Sequence, residues 1–345
     1  MTESSSPTEL SKPPIFIVGS PRSGTTMLRN LISRHPSIAI CGETRFFADI
    51  YKRRSAFGPL DNFENRQRLV DQYLSTARVH RLGLDVTALR QRLLDEATSY
   101  PAFLATIMRF NSDFRSKERC GEKTPHHSFC TETLSEWYPG AFIIHLVRDP
   151  RDVVASLQRM KWAPKSIWNN AWIWTLFNRG AERSRHRPGY LLVQYEKLVA
   201  SPEAELARIC EHVGEKWPES LSVADEESTP YSWPMSARGP VTRDRLQKWR
   251  DQLTPREVSL VERIAGERLQ KYGYESNGRA ASPSTVVHAL AVAGYEMVRQ
   301  RVVNLPYMWF YHTQPTNLPL HEYWKFRRAW KNMFPDSAPP NGRAK

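Results

Sequence analysis

Short apolar runs of strand length alternate with amphipathic stretches along much of the chain. The four apolar runs are residues 15–19, 38–40, 141–147 and 190–195. Residues 141–147 (AFIIHLV) are apolar at nearly every position, which is typical of a strand covered on both faces in a parallel sheet. Helical spacing follows at residues 25–34 and 202–213, and a further helix is predicted from Pro150 onward. Strands that alternate with helices in this way favour right-handed βαβ units around a parallel sheet, an α/β fold.

Two stretches depart from this alternation. Residues 61–115 have a basic, helical pattern without a long strand candidate, which predicts a helical insertion. Residues 276–345 follow the alternating region and predict a C-terminal helical extension. Residues 1–13 are polar and contain several serines and prolines, which is typical of a disordered tail. We therefore divide the chain into this tail, an α/β domain at residues 14–275 and the extension.

The chain is expected to carry neither a signal peptide nor a transmembrane helix. Its N-terminal residues lack the basic and apolar regions of a signal peptide. The longest apolar stretch, residues 286–298, is interrupted by His288 and Glu296 and is shorter than the ~20 residues that span a bilayer. The four cysteines form no C-x-x-C pair, which favours reduced thiols. We expect a cytoplasmic protein.

The net charge of the chain indicates what kind of partner it binds. Lysine and arginine total 49 while aspartate and glutamate total 36, so the net charge is +13. Such a chain favours an anionic partner, and nucleic acid, an acidic membrane and a phosphorylated or sulfated small molecule are the candidates. Because no nucleic-acid recognition motif accompanies the basic residues, we expect no nucleic-acid partner.

A glycine-containing loop after the first strand is the main candidate for an anion site. Its sequence, GSPRSGTT from Gly19, follows a strand and opens a helix, so backbone N–H groups and the helix N-terminus can cradle an oxyanion. A nucleoside-triphosphate P-loop has lysine where this chain has Thr25, and the cation here is Arg22, inside the loop. The loop therefore predicts an anion shorter than a triphosphate.

A second anion site is predicted at the end of the apolar run 141–147. Arg148 follows this run, where a magnesium-dependent P-loop enzyme would place an aspartate. Ser156 lies two helical turns further on, roughly 12 Å along the helix. Ser156 therefore shares a ligand with Arg148 only if that ligand runs beside the helix. An ordinary ion pair between Arg148 and Asp149 is the alternative.

Five motifs carry a resemblance to a known family. In chain order they are GSPRSGTTML, CGETRFF, GEKTPHH, LVRDPRDVVASL and VQYEKLVASPE. They resemble the sulfotransferases that use 3′-phosphoadenosine 5′-phosphosulfate (PAPS), and among these they look most similar to bacterial relatives of the tyrosylprotein and carbohydrate enzymes. The resemblance covers about residues 14–275. It implies a P-loop-type parallel sheet flanked by helices, and an enzyme that moves a sulfuryl group from PAPS to an acceptor hydroxyl.

The resemblance also implies which residues bind the donor. The residues implied to hold the 5′-phosphosulfate are Arg22, Ser23, Gly24, Thr25 and Thr26. Arg148 and Ser156 match the pair that holds the 3′-phosphate in the family. Tyr195 matches a tyrosine that contacts the nucleotide, and Lys248 matches a lysine that closes over it. No metal is expected for this chemistry.

The reaction that the family implies is in-line displacement at sulfur, in which positioning and electrostatics supply the rate. Arg22 and Lys123 are the candidates for stabilising the leaving phosphate. Glu43 is the candidate general base, because it follows the second strand and matches an acidic motif of the family. His126 and His127 are its rivals, but a proline occupies the position at which cytosolic relatives have their histidine.

Several interpretations stay open at this level. The acceptor hydroxyl belongs to a sugar, a glycolipid, a phenol or a peptidyl tyrosine. A P-loop kinase or NTPase, and a non-enzymatic binder of acidic membrane or nucleic acid, are the alternative functions. Residues 281–345 combine eight basic and three acidic residues with many aromatic ones. This composition fits a peripheral membrane contact, and it fits equally well packing on the core or on a second subunit of a homodimer.

Overall fold

A five-stranded parallel sheet forms the centre of the fold. The computed structural model describes residues 10–160, 162–221 and 242–313. The strands are β1 Ile15–Val18, β2 Ile38–Cys41, β3 Arg119–Lys123, β4 Phe142–Val147 and β5 Tyr190–Gln194. They are ordered β2-β3-β1-β4-β5 across the sheet, and each neighbouring pair is parallel. The predicted α/β class is therefore confirmed.

The central strand β1 is covered on both of its faces. Phe16 and Val18 belong to one apolar core, whereas Ile15 and Ile17 belong to the other. This division follows from the two-residue repeat of a strand, and all four side chains are fully buried. Because every strand runs in the same direction, the loops that follow the strands meet at one edge of the sheet.

Helices surround this sheet. They are α1 Thr25–Ile32, α2 Arg54–Phe57, α3 Phe63–Leu74, α4 Ala77–His80, α5 Val86–Glu96, α6 Tyr100–Asp113, α7 Thr131–Trp137, α8 Pro150–Gln158, α9 Ile167–Ala181, α10 Tyr195–Ala200, α11 Pro202–His212, α12 Trp249–Gln252, α13 Pro255–Ala265, α14 Glu267–Lys271 and α15 Pro283–Thr313. Short 3₁₀ or π segments are Phe46–Ile50, Tyr51–Arg53, Pro125–Phe129, Glu182–Ser184 and Arg243–Arg245.

The predicted helical insertion is present between β2 and β3. Helices α3 to α6 occupy it, and their apolar residues pack in the same core as Phe16 and Val18. Local sequence fixes where these helices begin. The Asp85 side chain accepts hydrogen bonds from the first turn of α5, and Ser99 caps α6, which has a proline in its first turn. The insertion therefore completes one face of the sheet.

The extension begins with α15, which packs on α9 and α13. The Glu296 carboxylate accepts hydrogen bonds from the backbone N–H groups of Lys165 (2.7 Å) and Ser166 (2.9 Å), at the start of α9. No helix within the described ranges is both long and apolar enough to span a bilayer. Residues 314–345, which hold five of the ten aromatic and six of the eight basic residues of 281–345, lie outside the described residues, as does most of the N-terminal tail.

Candidate active site

The loop between β1 and α1 has a sharply turning backbone. Gly24, at the N-cap of α1, has a φ of 97°, and Arg22 has a φ of 71°. A Cβ atom on Gly24 would lie 2.6 Å from Cδ2 of Tyr195, so only glycine allows this approach. The Ser23 hydroxyl is buried and has no hydrogen-bond partner among the described residues. A buried polar group without a partner indicates a place where a ligand oxygen fits.

The two predicted anion sites meet in the folded protein. Nε of Arg22 donates a hydrogen bond to Oγ of Ser156 at 3.0 Å, so the first loop touches α8 directly. The Arg148 guanidinium lies over the ring of Tyr195, with Cζ 4.3 Å from the ring centre. Its Nη2 also lies 3.4 Å from a carboxylate oxygen of Asp152. The alternative interpretation of the sequence is an ion pair between Arg148 and Asp149, but in the structure the Asp149 carboxylate pairs with Arg151 at 2.7 Å.

Positive charge is concentrated around this junction. Burial lowers the pKa of Arg22 below its ordinary value, and the guanidinium groups of Arg148, Arg245 and Arg159 lower it further. Nη2 of Arg148 donates to the backbone oxygen of Arg245, while its Nε is buried without a partner in the described part of the chain. Positive charges crowded around Arg22 favour a bound anion, because an anion relieves their mutual repulsion.

Sequence reasoning missed two of these arginines. Arg245 and Arg159 lie outside the motifs, and Arg245 reaches the site from a segment nearly 100 residues after Arg148. The predicted donor-binding residue Lys248 lies three positions further on, at the start of α12, with an exposed side chain. The one available signal was the basic cluster TRDRLQK, which contains Arg245 together with Lys248.

Lys123 and Glu43 form an ion pair beside the loop. Nζ of Lys123 lies 2.6 Å from Oε1 of Glu43 and donates to Oγ1 of Thr26 at 3.0 Å. The lysine is buried, whereas the Glu43 side chain is 42% exposed. Burial lowers the pKa of Lys123 below its ordinary value, although the neighbouring Glu43 carboxylate raises it. The ammonium is thus fixed between the loop helix and a carboxylate that an acceptor can reach.

The two histidines of the GEKTPHH motif have different surroundings. The pKa of His126 is lowered to about 4, chiefly by burial and by the charge of Arg45, while Glu43 acts in the opposite direction. His126 is therefore neutral at pH 7, and its ring packs against Phe177 with the centres 5.3 Å apart. The His127 ring is fully buried, and its Nδ1 lies 2.8 Å from Oε2 of Glu122.

The described residues contain no group of three or more histidine, cysteine, aspartate or glutamate side chains arranged to hold a metal ion. The polar groups of the site are instead arginine, lysine, serine and threonine side chains. This donor set suits anions such as phosphate and sulfate.

Comparison with known proteins identifies the relatives of this chain. A family model described as the sulfotransferase family matches residues 13–219. The putative protein-tyrosine sulfotransferase of Caenorhabditis briggsae is 26% identical over 203 residues, which cover 56% of this chain and 63% of that protein. The omega-hydroxy-beta-dihydromenaquinone-9 sulfotransferase Stf3 of Mycobacterium bovis is 27% identical over 326 residues, which cover 78% of this chain and 77% of that protein.

A solved structure supports the same fold. The sulfotransferase domain from the Synechococcus PCC 7002 olefin synthase superimposes with a TM-score of 0.53 at 24% sequence identity, covering 75% of this chain and 96% of that domain. The chain spans less than two thirds of the length of the nematode relative.

Proposed function

The chain belongs to the sulfotransferase family, whose chemistry is sulfuryl transfer, and we propose on this premise that residues 14–275 form an enzyme that moves a sulfuryl group from PAPS to an acceptor hydroxyl. One observation supports PAPS as the donor more than any other. The hydrogen bond from Arg22 to Ser156 joins the loop to the second anion site, so a single ligand with two separated anionic groups can occupy both.

The residues of the site fit the two anionic ends of PAPS. We assign the 5′-phosphosulfate to the loop, where backbone N–H groups, the unpartnered Ser23 hydroxyl and the side chains of Thr25 and Thr26 can bind its oxygens. We assign the 3′-phosphate to Arg148 and Ser156, because the buried Nε of Arg148 also lacks a partner in the described part of the chain. The Tyr195 ring, which lies against both Gly24 and Arg148, suits a nucleotide placed between the two ends.

A kinase or NTPase function is not favoured. The site has Thr25 where a nucleoside-triphosphate P-loop has its lysine, and the cations proposed to bind the donor are Arg22 inside the loop and Arg148 beside it. A non-enzymatic role is likewise disfavoured, because the buried Lys123 is paired beside the loop with the partly exposed Glu43, an arrangement that anion binding alone does not require.

The proposed transfer breaks the bond between sulfur and the bridging phosphate oxygen and forms one between sulfur and the acceptor oxygen. The acceptor proton passes to Glu43, and the negative charge on the leaving phosphate is stabilised by Lys123 and Arg22. The ion pair couples these two events. Once Glu43 is protonated it holds Lys123 less strongly, so the ammonium is released toward the phosphate as the charge develops there.

The donor assignment predicts a dependence on the 3′-phosphate. We expect adenosine 3′,5′-bisphosphate, the product of transfer, to bind at least tenfold more tightly than adenosine 5′-phosphate and to raise Tm, since a ligand at 100 times its Kd adds about 2.7 kcal/mol to stability. In the Arg148→Ala variant the two nucleotides should bind about equally, and the donor KM should rise. Calorimetry and thermal unfolding measure both effects.

The exposed Arg256 provides the control for this prediction, because its replacement by alanine removes a positive charge from α13, away from the loop. Equal affinity of the wild-type protein for the two nucleotides would show that the site does not recognise a 3′-phosphate.

We propose that the acceptor is a hydroxyl-bearing molecule presented at a membrane surface. The nematode relative is named for protein tyrosine and the mycobacterial relative for a menaquinone derivative, so hydroxyl acceptors of both kinds occur among the relatives. Two exposed groups of apolar side chains support an acceptor that is bound in a membrane. They are Trp172 and Leu176 on α9, and Val287, Leu290, Val292, Met297 and Val298 on α15.

Charge favours an anionic lipid surface over a second copy of the chain. The ranges of α9 and α15 contain a single acidic residue, Glu296, and its carboxylate is directed at the start of α9. A second copy would also carry a net charge of +13, and its approach would be opposed by repulsion. Phe177, on α9, packs against Phe129 with ring centres 4.7 Å apart and against His126 with ring centres 5.3 Å apart. The exposed apolar side chains of α9 thus begin at the rim of the candidate site.

Vesicle binding tests this surface. We expect the wild-type protein to sediment with vesicles that contain anionic phosphatidylglycerol more than with neutral phosphatidylcholine vesicles, and less so at high salt. The double variant Leu290→Glu, Val298→Glu should bind anionic vesicles about tenfold more weakly, a loss of ~1.4 kcal/mol. Phe114→Glu is the matched control, because Phe114 is equally exposed but lies at the end of α6.

Two results would contradict the membrane contact. One is unchanged vesicle binding in the double variant. The other is a wild-type dimer in analytical ultracentrifugation that the double variant converts to a monomer, since these residues would then face a second subunit.

A further inference from the structure

The most deeply buried carboxylate near the site belongs to a residue with no role in the mechanism above. Glu122 lies at the carboxyl end of β3 and is fully buried. It precedes Lys123 in a strand, so the two side chains leave opposite faces of the sheet. Lys123 therefore reaches Glu43 and Thr26 on one face of the sheet, while the Glu122 side chain lies on the opposite face.

Three hydrogen bonds hold one oxygen of the Glu122 carboxylate, and the His127 ring lies beside the other oxygen. Oε1 accepts hydrogen bonds from the backbone N–H of Thr44 at 2.9 Å, from the Thr44 hydroxyl at 3.0 Å and from the Thr124 hydroxyl. Oε2 lies 2.8 Å from Nδ1 of His127. A buried carboxylate is costly without hydrogen bonds, so the three hydrogen bonds to Oε1 stabilise it, whereas Oε2 and Nδ1 of His127 lie close without hydrogen-bond geometry.

Each group that contacts Glu122 lies next to a candidate catalytic residue along the chain. Thr44 directly follows Glu43, and His127 directly follows His126. Thr124 directly follows Lys123, and its hydroxyl also accepts the backbone N–H of Arg45 at 3.2 Å. One carboxylate thus joins the loop after β2 to the turn after β3.

We propose that Glu122 is a positioning residue for the transfer step, and that it fixes the Glu43 loop and the His126 turn relative to Lys123. This inference rests on the proposed sulfuryl transfer. Glu122 touches none of the residues assigned to donor binding, so its effect should fall on turnover and not on nucleotide affinity. Misplacing a reacting group by about 1 Å costs on the order of 10²-fold in rate.

The test is steady-state kinetics with PAPS and phenol, together with calorimetry of adenosine 3′,5′-bisphosphate. Glu122→Gln removes the charge while keeping the shape, and we expect kcat to fall about 10-fold to 100-fold with the nucleotide Kd within about twofold of wild type. Thr44→Val should lower kcat about tenfold, whereas Thr44→Ser, which keeps the hydroxyl, should restore it. Comparison of Thr44→Val with Thr44→Ser tests the positioning role of Glu122 even if Glu122→Gln does not fold.

Glu262→Gln is the matched control. Glu262 is also a buried carboxylate, bound by Arg151 at 2.8 Å and by the Ser276 hydroxyl at 2.8 Å, but it lies on α13. Its replacement should leave kcat within about twofold of wild type. The inference is overturned if Glu122→Gln keeps full turnover, or if it loses nucleotide affinity in proportion to kcat. A wild-type protein that transfers no sulfuryl group overturns the proposed function, and this inference with it.

Discussion

Lys123→Ala is expected to lower kcat by roughly 10² to 10³ and to leave the donor KM nearly unchanged, as for other lost electrostatic donors. The lysine is buried and held by Thr26 and Glu43, so its ammonium is oriented before the reaction and needs little reorganisation. Arg148→Ala should give the opposite pattern, a raised donor KM with a smaller change in kcat. Release of adenosine 3′,5′-bisphosphate from PAPS, with phenol as the acceptor, measures both parameters.

The same lysine predicts a limb at the alkaline side of the pH–rate profile. Burial lowers the pKa of Lys123 below its ordinary 10.5, and the ammonium is the form that stabilises the leaving phosphate. Activity should therefore be present below the lowered pKa and be lost as the pH rises through it. The residual activity of Lys123→Ala should lack this limb. If Lys123→Ala instead raises the donor KM with kcat preserved, the roles of Lys123 and Arg148 are exchanged.

Four of the five strands could be predicted from the apolar runs, but β3 could not. Its sequence, RCGEK, contains three charged residues, and a buried strand is normally recognised by apolar ones. Each of these side chains is held by a residue from elsewhere in the chain: Arg119 by Glu215 at 3.0 Å, Glu122 by two hydrogen bonds from Thr44, and Lys123 by Glu43 at 2.6 Å. Partners that lie far away in sequence decide whether a charge can be buried, so local pattern did not reveal this strand.

Site residues that lie in one continuous motif could be predicted from the sequence. Site residues that are brought together only by packing of distant segments could not. The loop motif indicated an anion site because strand, glycines and helix follow one another in the chain. The helix geometry alone left Ser156 too far from Arg148 to share a compact ligand, and the structure explains its role differently. The Arg22 side chain crosses to α8 and bonds Ser156, a contact between residues 134 positions apart. The charges of Arg245 and Arg159 also act on Arg22, although neither residue is near Arg22 in the sequence.

The assignment of Glu43 as the general base predicts a second large loss of turnover. Glu43→Gln is expected to lower kcat by on the order of 10² to 10⁴, because the amide cannot accept the acceptor proton. The amide oxygen can still accept a hydrogen bond from Lys123, so the position of the ammonium and the affinity for adenosine 3′,5′-bisphosphate should be kept. Rapid-mix kinetics and calorimetry on the same preparation separate these two effects.

His126→Ala is the companion variant, since His126 is the other group at the site that can take a proton. Its pKa of about 4 makes it neutral at pH 7 but a weak base, so its loss should change kcat by less than about tenfold. The position of an acid limb does not distinguish a carboxylate from a histidine whose pKa is so low. The two bases are distinguished by comparing the pH–rate profiles of Glu43→Gln and His126→Ala, because the acid limb should disappear only in the variant that lacks the base. If Glu43 is the base, Glu43→Gln loses the limb and His126→Ala keeps it, whereas a limb and a turnover that depend on His126 would assign the proton to the histidine.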